Sequence, residues 1–204
     1  MSFFYPTLGA LALLAGFLFV VGRQNRDLLR ARAYGEFLVR LLPLLSTGVF
    51  ILGLPFIMDL ATFENTVPVL LVYLGGAAIL TVLMSRLVAP EERRAVALFR
   101  REEYEGAVDI YERLVARSPL PRYYSALGAS LDASGDPHRA LKAADQAVKL
   151  DPKLGIAYYN RASALAALGE SARAREDLQS VFHADSNRRL RRAAEVALKS
   201  LEKN

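Results

Sequence analysis

Five pairs of matching residues recur at one interval in the last third of this chain. Tyr124 and Tyr158, Leu131 and Leu165, Gly135 and Gly169, Ala140 and Ala174, and Asp151 and Asp185 each lie 34 positions apart. A fixed period of this length marks stacked helical hairpins, in which no unit buries its apolar face alone and each leans on its neighbours. Helical geometry governs each unit. Tyr124, Leu127, Gly128 and Leu131 fall at i, i+3, i+4 and i+7 and so share one helix face, with Gly128 letting a partner helix come near. Gly135 and Gly169 stand just past the last periodic residue, where a left-handed C-terminal cap favours glycine. Asp136 and Pro137 suit the next helix as cap and first-turn residue. Ala140, Ala144, Ala147 and Leu150 form that helix's apolar face, and Asp151-Pro152 ends it.

An earlier, degenerate hairpin precedes these two. Aligning Pro119 with Pro152 pairs Ala107 with Ala140, Tyr111 with Ala144 and Leu114 with Ala147, so Tyr104 to Ala116 reads as a second helix and Glu91 to about Arg101 as its first. Glu102 and Glu103 stand where the later turns have Gly and an acid, which leaves that turn's geometry open. Beyond the third hairpin, Asn187 to Leu201 reads as a final helix, with Arg188, Arg189, Arg191 and Arg192 at its start and Ala194, Val196, Ala197, Leu198 and Leu201 for packing. A helix of this kind covers the last exposed apolar face of a stacked array. The expected units are about 89–119, 120–152 and 153–187, followed by a capping helix over 188–204.

The segments PRYYSALGASLDASGDPHRALKAADQAVKLDP, from Pro121, and GIAYYNRASALAALGESARAREDLQSVFHADS, from Gly155, resemble tetratricopeptide repeats. In that family an aromatic opens the first helix, a small residue follows four positions later, and a Gly-centred turn joins the helices. The resemblance implies an α-solenoid whose first helices line a concave protein-binding groove. The corresponding positions are Glu92, Val96 and Phe99, then Arg122, Ser125 and Ala129, then Tyr159, Asn160 and Ser163, with Asn160 at a position that bonds ligand backbone in the family. The family's carboxylate-clamp subset needs paired Lys or Arg with Asn across adjacent repeats, and Glu92 and Ser125 break that pattern. Capture of an acidic C-terminal tail is therefore not expected.

The chain is 53% hydrophobic, and the apolar excess lies almost entirely before Arg86. Ser2 to Gly22, Leu41 to Met58 and Asn65 to Ser85 contain no Asp, Glu, Lys, Arg or His. Stretches of this length cover roughly one hydrocarbon core of about 30 Å as helices. Residues 1–88 are thus expected to form a membrane domain with three transmembrane helices, about 3–22, 39–59 and 66–86, and a basic loop over 23–40. The first is expected to be a retained anchor rather than a cleaved leader, because its basic residues follow the apolar stretch, starting at Arg23. The first loop holds Arg23, Arg26, Arg30, Arg32 and Arg40, whereas the second holds only Asp59 and Glu64. The positive-inside rule then places the basic loop and the repeats in the cytoplasm, with the N-terminus outside, and the expected location is a prokaryotic plasma membrane. If Arg26 to Leu41 is one amphipathic helix, Leu29, Ala33, Phe37 and Leu41 share its apolar face. Only Arg86 to Pro90 joins the last span to the repeats, which favours a membrane-bound or membrane-arriving protein as partner.

Other function classes lack their chemistry. The apolar stretches carry no Asp, Glu, Lys, Arg or His, which disfavours transport, and Ser46, Thr47 and Thr81 can bond carbonyls of their own helices. No cysteine is present, His138 and His183 stand alone, and neither a phosphate loop nor a nucleophile elbow occurs. No enzyme activity, cofactor or metal is expected. From Ala89 onward, 20 Lys and Arg face 17 Asp and Glu, a mixed surface that does not point to nucleic acid. The expected whole is all-α: three transmembrane helices followed by a short tetratricopeptide-like solenoid with a C-terminal cap. It would act as a scaffold or assembly factor, the alternative being a permanent structural or accessory subunit of a multi-protein membrane complex.

Overall fold

The structure is a computed structural model and describes residues 4–62 and 64–202. The outer ends of the expected first span and of the expected cap lie outside the described residues. Among the described residues there are eleven α-helices and no strand. The chain divides into two compact units, Met1–Pro90 and Glu91–Asn204.

In the first unit α1 (Phe4–Gln24) and α4 (Thr66–Leu87) both pack on α3 (Tyr34–Leu60), and the short α2 (Arg26–Arg30) joins α1 to α3. By length and composition α3 and α4 could each cross a membrane, whereas the apolar stretch within the described side chains of α1, Leu14–Gln24, is shorter. No residue of α4 is buried, and Val72 is 76% exposed. Polar contacts tie α3 to α4. The Ser46 and Thr47 hydroxyls donate to the Pro43 carbonyl of their own helix at 2.8 and 2.9 Å. Thr81 Oγ1 meets Thr47 Oγ1 across the two helices at 3.1 Å. The Tyr73 phenol donates to the Phe50 carbonyl at 2.8 Å, and a Cβ on Gly53 would collide with that phenol oxygen.

The basic segment is not the single amphipathic helix expected over 26–41. Arg32 takes φ +56, and the Ala33 and Arg32 amides donate back to the Leu28 and Leu29 carbonyls at 2.9 and 3.2 Å, closing a C-terminal cap after α2. The break changes the buried face, so that Leu28 is buried and Leu29 exposed.

In the second unit α7 (Pro121–Ala133) pairs with α8 (Pro137–Leu150) and α9 (Gly155–Ala167) with α10 (Ser171–Ala184), while α5 (Pro90–Arg100) meets α6 (Tyr104–Arg117) through the Arg117–Glu91 ion pair at 2.8 Å and the Phe99 and Tyr104 rings. α11 (Arg188–Leu201) closes the array against α10 and α9. Each hairpin stacks on the next, α6 on α7 and α8 on α9. Small side chains make this possible. Ala107, Ala140, Ala144, Ala147, Ala164 and Ala174 are fully buried, and a Cβ on Gly128 would lie 3.2 Å from the Ala140 carbonyl oxygen. The approach there is helix against backbone, which is why the position carries no side chain.

The three hairpin turns share one geometry. Gly135 at φ +87 and Gly169 at φ +79 sit where the Asp136 and Glu170 amides donate to Leu131 and Leu165 carbonyls, each at 2.9 Å. In the first hairpin Glu102 takes φ +64, and the Glu103 amide donates to the Leu98 carbonyl at 3.0 Å. The turn left open by the sequence is therefore the same left-handed cap, built without glycine. Asp151 and Asp185 also share a role: each carboxylate accepts from the amide two residues on, Lys153 at 3.0 Å and Asn187 at 2.9 Å, which fixes the chain between one hairpin and the next helix. Asp136 caps α8 through the Arg139 amide at 3.1 Å, and Asn187 caps α11 through the Arg189 amide at 3.0 Å.

Candidate protein-binding groove

The first helices α7, α9 and α11 run in a row, since α7 packs on α9 and α9 on α11. α7 and α9 carry most of the residues expected to line a groove. Arg122, Ala129 and Tyr159 are half-buried, and Ser163 is exposed. On α5, Phe99 is 36% exposed, its ring packed edge-on to Tyr104 with centroids 5.3 Å apart.

Two of these residues do something other than wait for a ligand. Ser125 is only 2% exposed, and both its carbonyl and its hydroxyl oxygen accept from the Asn160 amide, at 2.9 and 3.0 Å. The Asn160 Nδ2 group, at a position expected to bond a ligand backbone, donates to the neighbouring repeat, and Ser125 lies beneath the surface. Ser163 makes a second stitch one turn along, donating to Asp132 Oδ2 at 2.5 Å. Together Ser125, Asn160, Asp132 and Ser163 close the seam between α7 and α9.

Asp132 escaped the sequence reading because the residue 34 positions later is Ala166, so no periodic match marks it. Arg161 escaped for the same reason. Its guanidinium donates to both Asp177 oxygens, through Nε and Nη2 at 2.7 Å each, and through Nη1 to Asp145 at 3.0 Å. It also lies over the Tyr158 ring, 5.5 Å from the centroid. The hydrogen bond to Asp177, opposed by burial and aided by the charges of both carboxylates, holds Arg161 still more firmly protonated. This one side chain joins α8, α9 and α10. In the first hairpin Tyr111 is 4% exposed, and its phenol is pushed up to about 12, first by burial and then by the carboxylate of Glu92.

Between α9, α10 and α11 the same face opens into a cleft of about 190 Å³. Tyr159, Ser163 and Ala166 form one wall and Ala197, Ser200 and Leu201 the other, with Ala162 and Leu178 also lining it. Among the described residues no group of three or more His, Asp or Glu side chains could hold a metal ion.

Family models described as tetratricopeptide repeat match residues 93–120 and 125–188. A TPR repeat-containing thioredoxin of Arabidopsis thaliana, TTL4, is 37% identical over 82 residues, which are 40% of this chain but only 12% of that protein. The Sgt2 TPR domain from Aspergillus fumigatus is similar in fold, with 25% identity and a TM-score of 0.51 over 56% of this chain and 78% of that domain. The Yersinia enterocolitica type III secretion chaperone SycD, solved in complex with a peptide of the translocator YopD, reaches a TM-score of 0.51 at 20% identity, over 55% of this chain and 90% of SycD. The second unit carries a tetratricopeptide repeat domain.

Proposed function

We propose that this chain is a membrane-anchored scaffold or assembly factor, without catalysis of its own, that binds partner proteins through the row of first helices in its repeats. What carries this reading is the open end of that row, where Tyr159 and Ser163 border a cleft of about 190 Å³ instead of being covered by the next helix. SycD, which shares the fold, holds a peptide of another protein. A binding role for the same architecture here is consistent with the absence of any conspicuous catalytic motif in the sequence.

Anchoring is supported by α3 and α4, whose outward apolar side chains, Val49, Leu71 and Val72 among them, are well exposed. Exposed apolar surface on this scale calls for a covering, and helices of 27 and 22 residues are long enough for lipid to provide it. Arg23, Arg26, Arg30 and Arg32 favour the cytoplasmic side for the segment between α1 and α3, at a prokaryotic plasma membrane, with the repeats on that same side.

Two measurements on the full chain expressed in cells test this reading. Alkaline carbonate washing should leave the chain in the membrane pellet, and its release would sink the anchor. A photo-crosslinking amino acid at Ser163 should give discrete partner adducts, whereas the same group at Arg175, exposed on the second helix α10, should not. Equal crosslinking at both positions would sink the groove.

A further inference from the structure

Building on the docking role above, we propose that the cleft between α9 and α11 is a socket for one aromatic or branched aliphatic side chain, presented on a cationic segment of the partner protein. The seam between α7 and α9 is closed by two stitches, Asn160 to Ser125 and Ser163 to Asp132. Among the described residues α11 makes no such stitch to α9: its side-chain bonds run to the Phe182 carbonyl or stay within the helix. α11 is held from the α10 side instead, by Ala194, which is fully buried, and by Arg191, which donates to the Phe182 carbonyl at 2.9 Å and lies 5.6 Å from its ring centroid. Among the described residues no side-chain hydrogen bond draws α11 onto α9, and the cleft lies between them.

The chemistry of the walls selects the occupant. Tyr159, Ala166, Ala197 and Leu201 offer apolar surface, and the two serine hydroxyls are already engaged, Ser163 with Asp132 and Ser200 with the Ala197 carbonyl at 2.7 Å. A polar head entering there would give up water and find little in return. The volume, about 190 Å³, is near that of apolar cavities that hold a benzene ring. Among the described residues no Lys or Arg lines the cleft to meet a carboxylate, and Ser163 on its wall is bonded to the Asp132 carboxylate just outside it. A Lys or Arg flanking the inserted side chain meets that carboxylate favourably, and an acidic flank is repelled.

The test uses the full-length chain in mild detergent and three fluorescein-labelled peptides of Gly and Ser carrying Lys-Phe-Lys, Lys-Gly-Lys or Glu-Phe-Glu, read by fluorescence anisotropy. Lys-Phe-Lys should bind, and loss of the ring should weaken it about 30-fold, the scale of a buried anchor residue. Ala166→Leu and Ser200→Leu, each filling the cleft from one wall, should cause a similar loss with helicity unchanged. Asp132→Asn should weaken the lysine peptide about threefold, as expected for a rim charge, and leave Glu-Phe-Glu no worse. Equal binding of the lysine and glutamate peptides, no binding of Lys-Phe-Lys at millimolar concentration, or indifference of both filling variants would overturn the socket. If the filled variants still give the Ser163 adducts, the socket fails and the docking platform stands; absence of adducts from the unmodified socket removes the platform itself.

Discussion

Replacing Arg161 by Leu probes the tie that joins three helices of the array. The Asp177 side chain is 9% exposed and accepts two hydrogen bonds of 2.7 Å from Arg161. Removing the guanidinium strands a buried carboxylate, a defect of about 3–5 kcal/mol. Arg161 is itself 22% exposed, so water reaches part of the vacated space, and its other partner Asp145 is 48% exposed and contributes little. The expected loss is therefore about 3 kcal/mol, the low end for a stranded buried charge. For a unit of this size it should lower the melting temperature of the repeats by about 15 °C. The preceding hairpin shows how the same site is filled without charge, with Leu127 and Ala143 at the positions 34 residues earlier. Arg161→Leu combined with Asp177→Ala should accordingly return to within about 1 kcal/mol of the parent. Thermal unfolding of the full chain in mild detergent, followed by circular dichroism, completes a double-mutant cycle. A single Arg161→Leu variant that melts with the parent, or a double variant no more stable than the single, would refute the reasoning.

Two further outcomes are expected. Glu102→Gly relieves a left-handed residue at φ +64 and should stabilise the array by about 1 kcal/mol, whereas Gly169→Ala at φ +79 should destabilise it by a similar amount; denaturant midpoints moving in the opposite directions would contradict this. Tyr111, with its folded pKa raised from 10.0 to about 12, keeps its full contribution below pH 10 and loses it as the pH climbs through 12. The loss across that window should be about 2 kcal/mol and absent in Tyr111→Phe, so parallel pH profiles of the two proteins would exclude it.

The hairpins were legible because their signals are local and repeated: Gly135 and Gly169 mark the turns, and Gly128 and the buried alanines mark close helix contact. Glu102 was harder, since glycine is the usual sign of a left-handed cap and the geometry here is imposed on a residue that resists it. Arg161, Asp177 and Asp132 were missed because repetition was the guide, and each departs from its counterpart 34 positions away. Contacts between repeats depend on which side chains meet across a seam, and periodicity reports only the faces they stand on. That is also why spacing could list Ser125 and Asn160 among the groove positions without revealing that they bond each other. In the basic segment, spacing alone could not reveal that Arg32 would leave the helix and turn burial from Leu29 to Leu28.

α11 occupies the station that the opening helix of a fourth hairpin would take, beside α9 and against α10. The peptide between Ala184 and Arg188 is consequently a splice point. A further helical pair inserted there would inherit one established junction behind it and hand α11 the other, so an array of this kind can grow by whole units while its terminal seal is reused unchanged.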